Sequence, residues 1–482
     1  MAKKSKEVER KYDVADATVS PSFEGLASVL RIEQLPAQQL DAVYYDTADH
    51  RLAAHRITLR RRTGGDDAGW HLKLPAGTDA RTEIHAPLAD TVPEELRDVV
   101  LAIVRDAELV PVARIRNERF AQRLYGADET VLAEFCDDHV HSTAGDDEQR
   151  WREWELELVA DPEDRELLER LGHRLLDAGA TPSRSAAKLA RVLGDPPASA
   201  PVPADPIHRA VAEHVDELIV WDRAVRADEW DSVHQMRVTT RKLRSLLKDS
   251  EASFGLTDDA WVLDELRVLA AILGVARDAE VLAEKYEDAL DELEPGLIRG
   301  PVRERLVDGS RRRYEAGWRR SLAAMRTPRY FRLLDALDEL AAAEPVPLEQ
   351  HGEQPGNLSG AYARLRKSVR TAKAAEKAQD PRRDEALHRI RKTAKRLRYT
   401  AAAVGRRRVT DAAKTIQTLL GDHQDATVSR THLAHQAEVA HAAGEDTFTY
   451  GLLYQREDDL AHRCRAELDD ALSELKRAVR RG

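Results

Sequence analysis

Between Glu7 and Val159 apolar and polar residues alternate in short runs: Glu7–Tyr12, Ile57–Arg62, Trp70–Leu74, Thr82–Leu88, Arg114–Phe120, Val131–Asp138 and Trp151–Val159. A period of two predicts strands with one apolar and one polar face. Helical spacing interrupts them around Pro21–Leu30, Pro93–Ala107 and Asp161–Ala178. Gly194 to Pro206 then reads Gly-Asp-Pro-Pro-Ala-Ser-Ala-Pro-Val-Pro-Ala-Asp-Pro, which neither a helix nor a central strand can continue. From Ile207 to Arg481 strand patterns vanish and apolar residues recur at helical spacing. The pattern predicts an α+β multidomain chain: a strand-rich domain over 1–195, a linker over 196–206 and an all-helical domain over 207–482. Glu344-Pro-Val-Pro-Leu and Pro355-Gly356 split the helical domain into 207–345 and 358–482.

The two helical halves carry the same motifs in the same order. His234-x-x-Arg237-x-x-x-Arg241-Lys242-Leu243-Arg244 recurs as His388-x-x-Arg391-x-x-x-Lys395-Arg396-Leu397-Arg398. A Leu-Gly-x-x-(Arg/Gln)-Asp-Ala segment follows each, over 273–279 and 420–426. Such a repeat predicts an internally duplicated helical bundle.

The 482 residues need more than one core, and a third of them are charged. Cys136 and Cys464 lie far apart in no ligand spacing, against a disulfide framework or a Cys-built zinc site. The charged N-terminus has no signal-peptide core, and no apolar run reaches the ~20 residues a membrane span needs. A cytoplasmic protein without a membrane partner is the expectation. The net charge of −11 speaks against an anionic ligand only until the distribution of charge is examined.

On the strands, charges recur at i, i+2 and so share a face. Glu7, Glu9 and Lys11 do so, as do Arg60 with Arg62, Arg81 with Glu83, Arg114 with Arg116, and Glu153 with Glu155 and Glu157. Lys73 sits in Trp70–Leu74, Glu134 and Asp138 follow, and Lys188 stands at a predicted helix start. Facing a dry core, each unpaired charge would cost several kcal/mol. An antiparallel β-barrel with a charged, wet lumen and helices outside resolves the conflict, and its tunnel suits a metal–polyphosphate complex. Two carboxylates beside an ammonium can hold a hard cation next to a phosphate.

Glu7-x-Glu9-x-Lys11, Tyr44-Tyr-Asp-Thr47, Leu59–Arg62, Trp70-His-Leu-Lys73, Arg81-x-Glu83 and Trp154-Glu-Leu-Glu157 together resemble the CYTH, or triphosphate tunnel metalloenzyme, family. The resemblance covers about residues 1–195. It implies that Lys11, Arg60, Arg62, Lys73, Arg114, Arg116 and Lys188 grip a triphosphate. It further implies that Glu7, Glu9, Glu155 and Glu157 coordinate Mg²⁺ or Mn²⁺, with Glu134 or Asp138 near the metal or the attacking water. Arg81 and Glu83 match a family position without a fixed role. With no obvious nucleophile, direct attack of water is expected, not a covalent intermediate.

At ~100° per residue, His234, Arg237, Arg241 and Arg244 form one helical stripe, extended by Lys248 and flanked by Lys242. His388, Arg391, Lys395 and Arg398 form another, flanked by Lys392 and Arg396. A third carries Arg366, Arg370, Lys373 and Lys377. Like charges at i, i+3 and i, i+4 destabilise a helix, so stripes without interleaved acids call for an anion. Aromatics are only 5% of the chain and no nucleic-acid-binding signature occurs, which favours a simpler polyanion over nucleic acid. The repeated motifs resemble the CHAD domain across about 207–482, which implies two four-helix bundles around a basic channel for inorganic polyphosphate. Gln424 stands where the first copy has Arg277. His423, His432, His435 and His441 match no motif and are expected on the surface. The combined reading is a metal-dependent triphosphatase with a polyphosphate-binding module. A non-catalytic polyphosphate-binding or granule-associated protein is the alternative, and nucleotide cyclisation the less favoured third.

Overall fold

The computed structural model describes residues 3–77, 79–185, 187–194, 203–256, 260–343, 358–378, 380 and 383–481. Residues 196–202 of the expected linker, and the break over 344–357, lie outside the described residues.

Ten strands form the N-terminal region: β1 (Lys3–Val14), β2 (Arg31–Gln34), β3 (Gln38–Asp46), β4 (Thr58–Thr63), β5 (Gly69–Pro75), β6 (Ala80–Ala86), β7 (Val110–Tyr125), β8 (Val131–Ala144), β9 (Asp147–Leu158) and β10 (Thr181–Pro182). The order β1-β6-β5-β4-β3-β7-β8-β9 closes on itself where β9 pairs with β1, giving an eight-stranded antiparallel barrel. β2 extends β7, and β10 pairs with β1.

Alternation sorts the side chains. Val8 and Tyr12 of β1 and Trp154, Leu156 and Leu158 of β9 point outward, where they pack with Phe135 and Leu124. Leu167, Leu168, Leu171 and Leu175 of a helix at Arg165–Asp177 close this core. The intervening charged residues are thereby turned into the lumen. A second cluster, on the lumen side, joins Ala42, Ile115, Val140 and Trp151 to Leu189 and Val192 of a helix at Lys188–Leu193 and adjoins the charged part of the interior.

Residues 21–30 form turns, not the expected helix. Phe23 and Val29 are both buried. Gly25 (φ 72°) and Ala27 (φ 55°) take left-handed conformations, and the Gly25 amide donates to the Val29 carbonyl at 3.1 Å. The span 93–107 contains two short helices, Glu94–Val99 and Leu101–Val104. In Tyr44-Tyr-Asp-Thr47, buried Asp46 accepts from the amides of Thr47 (2.7 Å), Leu52 (2.8 Å) and Ala53 (3.0 Å), capping a helical turn at Arg51–Ala54.

Beyond the barrel every described element is helical. Counting from the N-terminus, the helices are α1 (Arg51–Ala54), α2 (Glu94–Val99), α3 (Leu101–Val104), α4 (Arg165–Asp177), α5 (Lys188–Leu193), α6 (Pro206–Arg226), α7 (Ser232–Asp249), α8 (Trp261–Asp291), α9 (Gly309–Ala324), α10 (Pro328–Ala342), α11 (Leu358–Lys377), α12 (Arg383–Ala403), α13 (Arg407–Ala442) and α14 (Phe448–Arg481). Asp205 caps α6, accepting from the amides of Ile207 and His208 at 2.9 Å, with Pro206 at the first turn. None of the described helices is long and apolar enough to cross a membrane.

The chain falls into two compact units, Met1–Ala271 with Arg320–Val346, and Ile272–Arg319 with Pro347–Gly482. The first holds the barrel, α6, α7 and α10. In it, Arg105 is buried and bonds Asp335 and Asp338 of α10, and Arg326 bonds Asp98 of α2. In the second, Leu365, Ile390, Leu397, Ile416, Leu420, Leu468 and Leu475 from α11, α12, α13 and α14 share one core.

Candidate functional site

Inside the barrel lies a cavity of about 250 Å³. Its walls carry Glu7, Glu9 and Lys11 of β1, Arg60 and Arg62 of β4, Lys73 of β5, Arg81 and Glu83 of β6, Arg119 of β7, Glu134 of β8, Glu155 and Glu157 of β9, and Lys188 at the start of α5. Tyr44, Thr58, Asn117 and Asp67 complete the polar lining. Asp138 is wholly buried and reaches the lumen groups through its ion pairs.

The charges divide into three groups. In the first, Lys188 Nζ contacts Asp138 Oδ2 (2.8 Å), Glu153 Oε1 (2.7 Å) and Glu155 Oε1 (2.7 Å). Arg119 Nη2 donates to Asp138 (2.7 Å) and Glu155 (2.5 Å), and Lys11 also bonds Glu155. Asp138, Glu153 and Glu155 form a buried acidic triad with the spacing to hold a metal. The Lys188 ammonium already meets all three, so an ion there would have to displace it. Burial alone would raise the Glu155 carboxyl, but Lys11, Lys188 and Arg119 hold it well below the usual range.

The second group is a row of carboxylates. Glu9 stands opposite Glu157 across β1–β9, and Glu157 opposite Glu134 across β9–β8. Like charges on directly opposed strand positions destabilise a sheet. Lys11 Nζ lies 3.2 Å from Glu9, and Arg123 Nε 3.6 Å from Glu134. Glu157 makes no ion pair among the described residues. Burial, reinforced by Glu7, pushes its carboxyl up to about 8, and burial lifts Glu7 to about 7. Glu157 is thus the member of the row without a cation; such hard oxygen donors suit Mg²⁺ or Mn²⁺, although among the described residues only the Asp138, Glu153 and Glu155 triad already has its ligand atoms within metal-binding distance of one another.

The third group is cationic. Arg60 Nη1 donates to Tyr44 Oη at 3.3 Å, and Arg62 bonds Asp67. The Nε groups of Arg60 and Arg62 are buried without an acceptor among the described residues. Burial, then the neighbouring Arg60 and Arg119, pulls Arg62 down to about 9. Such crowding is relieved by an anion. Lys73 bonds Glu7 and lies 3.8 Å from Glu83, which accepts from His71 Nδ1 at 3.0 Å. Burial draws His71 down to about 4, although its Nε2 also faces the Asp67 carbonyl at 3.0 Å, an arrangement that favours the doubly protonated ring.

Of the expected site residues, Arg114 and Arg116 stand apart. Their side chains are about half exposed and pair with Asp41 at 2.5 and 3.7 Å. The in-phase positions Ile115, Asn117 and Arg119 line the cavity instead. Arg119 therefore joins the lumen network although the sequence gives it no place there, and Glu153, expected on the charged face without a ligand role, meets Lys188. Counting β7 in steps of two from Ile115 reaches Arg119, but the eye-catching Arg-x-Arg pair lies on the other face.

On α12, His388, Arg391, Lys395 and Arg398 are all half-buried, while Arg389, Lys392 and Arg396 are exposed. Arg391 packs against Gly421, where a Cβ would lie 3.6 Å from its Nη2. Burial, then Lys392 and Arg391, lowers the His388 imidazole. On α7, His234, Arg237 and Arg244 are half-buried, and Arg241, Lys242 and Lys248 exposed. Arg244 Nε donates to the Leu263 carbonyl (3.2 Å), and Lys242 lies 3.7 Å from Glu217. The α11 stripe differs: Arg366, Arg370, Lys373 and Lys377 are exposed, and Lys373 pairs with Asp469 at 2.7 Å. His435 and His441 are exposed as expected, but His423 is buried. His432 is half-buried, its ring between Tyr286 Oη (2.9 Å) and Arg313 Nη1 (2.6 Å).

Comparison with known proteins bears on both regions. A CYTH domain is matched over residues 5–186 and a CHAD domain over 209–434. Uncharacterized protein Rv2226 of Mycobacterium tuberculosis is 61% identical over 498 residues, covering 98% of this chain and 97% of that one. Among solved structures, the CHAD domain from the plant Ricinus communis covers 56% of this chain and 90% of its own at 22% identity, TM-score 0.39. HpAC1 from Hippeastrum, described as having a dominant triphosphatase activity, covers 39% and 96% at 15% identity, TM-score 0.27. The chain belongs to the proteins that join an N-terminal CYTH domain to a C-terminal CHAD domain.

Proposed function

We propose that the barrel hydrolyses inorganic triphosphate, or a related short-chain or organic triphosphate, with Mg²⁺ or Mn²⁺, and that the helical region binds polyphosphate. The observation that carries the enzymatic reading is the pairing, within one cavity, of a carboxylate row, whose member Glu157 has no ion pair among the described residues, with buried guanidinium donors lacking acceptors there. Pure anion binding needs the cations alone. Glu9, Glu157 and Glu134 would hold the ion, which when bound withdraws charge from phosphate oxygens and polarises water. Arg60 and Arg62 grip non-bridging oxygens through their unused donors, and Lys11 and Lys73 act as point charges. Arg119 borders the same oxygens and is aimed by Asp138 and Glu155. Lys188 is saturated by three carboxylates and positions Glu155; it is not a primary grip on substrate. For the helices, the half-buried α12 stripe supports the polyphosphate reading, since a solvated face would expose Arg391, Lys395 and Arg398 as α11 exposes its own cations.

The test is phosphate release from triphosphate, polyphosphate, ATP and thiamine triphosphate with Mg²⁺ or Mn²⁺. Glu9→Gln and Arg119→Ala should each lower kcat/KM by about 10²-fold or more. Arg114→Ala combined with Arg116→Ala should stay within about twofold, because exposed pairs contribute little. Absence of metal-dependent release from every substrate would leave a binding protein.

A further inference from the structure

A second cavity of about 870 Å³ adjoins the first and shares Glu9, Lys11 and Arg81 with it. The wider space is bounded by β1, the turn between β5 and β6, α4 and the segment through Ser185. That segment also leads to Lys188, so the rim of the outer cavity and the ammonium of the buried triad belong to one stretch of chain.

We infer that this outer cavity is a vestibule subsite for the phosphate units beyond the terminal three, making linear polyphosphate longer than triphosphate the preferred substrate. The inference rests on the triphosphatase reading of the tunnel and extends it to substrate length. Three observations carry it. First, Glu9, Lys11 and Arg81 border both cavities, so the outer cavity is the space next to the tunnel on that side for a chain whose end lies within it. Second, the charge is lopsided. Arg10 is neutralised by Asp79 at 3.0 Å, but Arg56 and Arg184 are exposed and make no ion pair among the described residues. Glu169 on α4 is the opposing acid. Arg56 adopts a left-handed backbone (φ 58°) and its carbonyl accepts from Arg81 Nη1 at 3.4 Å, so the turn carrying it is tied to the tunnel mouth. Third, the wall offers few faces on which a nucleobase could stack: the exposed His173 imidazole is its one accessible ring among the described lining residues. Tyr12 is only 4% exposed, and its Oη lies beneath Gly172, where an added Cβ would approach it to 2.4 Å. Several cations with a single imidazole suit a repeating phosphate better than a nucleoside.

The experiment uses the full chain as wild type, Arg56→Ala/Arg184→Ala and Glu169→Gln, with triphosphate, medium-chain polyphosphate and ATP as substrates. The double variant should raise KM for polyphosphate about tenfold and leave triphosphate within about twofold, as expected for two exposed charge contacts. Glu169→Gln should lower the polyphosphate KM. Equal shifts on triphosphate and polyphosphate, no shift on either, or a shift confined to ATP would overturn the vestibule. If wild type releases no phosphate from triphosphate, the tunnel reading falls by itself. The vestibule is then judged from calorimetric affinities for triphosphate and polyphosphate, measured with the same substitutions added to Arg391→Ala/Arg398→Ala to weaken capture by the helices. The same chain-length-selective loss supports it, and a uniform loss or none refutes it.

Discussion

The barrel lumen and the α12 stripe both gather cations at regular spacing, yet they manage the charge in opposite ways. In the lumen nearly every cation is pinned by a carboxylate: Lys188 by three, Arg119 by two, Lys73 by Glu7. On α12 the four stripe residues sit half-buried along one helix, flanked by further cations. A network of alternating sign holds its geometry before any ligand arrives and suits a compact metal–phosphate complex with fixed oxygen positions. A stripe of one sign is held apart by self-repulsion and suits a polymer recognised by charge density. The two regions should therefore answer differently to removal of a charge.

The largest effect is expected at Lys188. Lys188→Met removes the ammonium from Asp138, Glu153 and Glu155, two of them almost wholly buried, and strands their charge. Breaking a buried charge network from one side costs about 3–5 kcal/mol. Urea denaturation should show a loss of that size, partly recovered by Asp138→Asn in the same chain, since the compensating pair is then removed together. A loss below about 1 kcal/mol would mean that the lumen charges do not depend on one another, and the contrast with α12 would collapse.

How far the site is legible in the sequence depends on what lies behind each strand. On β1 and β9 the outward positions are Val8, Tyr12, Trp154 and Leu156 beneath α4, so apolar residues fix the phase and the lumen carboxylates stand out. On β7 the outward residues Arg114, Arg116 and Glu118 are themselves charged and exposed, because no helix covers them. Both faces then look polar, and nothing in the alternation says which enters the barrel. Arg119 is hidden for that reason. β3 does not read as a strand, although its Tyr44-Tyr-Asp-Thr47 end is conspicuous, because Gln38-Gln-Leu-Asp-Ala-Val offers few strongly apolar residues. The α12 stripe is legible in full, since helical spacing and a run of cations coincide. Its difference from α11 is not, because equal spacing does not reveal which face packs.

A middle-sized effect separates the metal row from the rest of the lumen. Burial, reinforced by Glu7, pushes the Glu157 carboxyl up to about 8 in the folded chain from an ordinary value of 4.5. Between those values the folded protein retains a proton that the unfolded chain has lost. Metal-free stability therefore falls as pH rises from about 4.5 to 8, and the full cost is present above 8. An ion bound by Glu9, Glu157 and Glu134 replaces that proton, so stabilisation by Mn²⁺ should grow with pH across the same window. Thermal unfolding should show a Mn²⁺-induced rise in Tm larger by about 2–4 °C at pH 8.5 than at pH 6.5. Glu157→Gln should flatten the difference. An equal Mn²⁺ shift at both pH values in wild type would place the ion elsewhere, with the Lys188-occupied triad the next site to consider.

The smallest effect on stability, and the clearest on salt response, is expected from the α12 stripe. Arg391→Ala with Arg398→Ala removes two cations from one helix face, Arg391 giving up its attraction to Asp425, so denaturation should shift by less than about 1 kcal/mol apart from lost side-chain packing. Polyphosphate capture should weaken, and its log–log dependence on salt should become shallower by about 1.4, or about 0.7 for each phosphate left without its arginine on a single-stranded polyanion. Triphosphate turnover in the barrel should be unchanged. A large stability loss with an unaltered salt slope would make these arginines structural, like the pinned cations of the lumen. An unaltered slope with unaltered stability would make the stripe a solvated face. Only a shallower slope at nearly constant stability fits cations held half-buried for a polymeric anion, because that outcome requires their charge to act on the ligand and not on the fold.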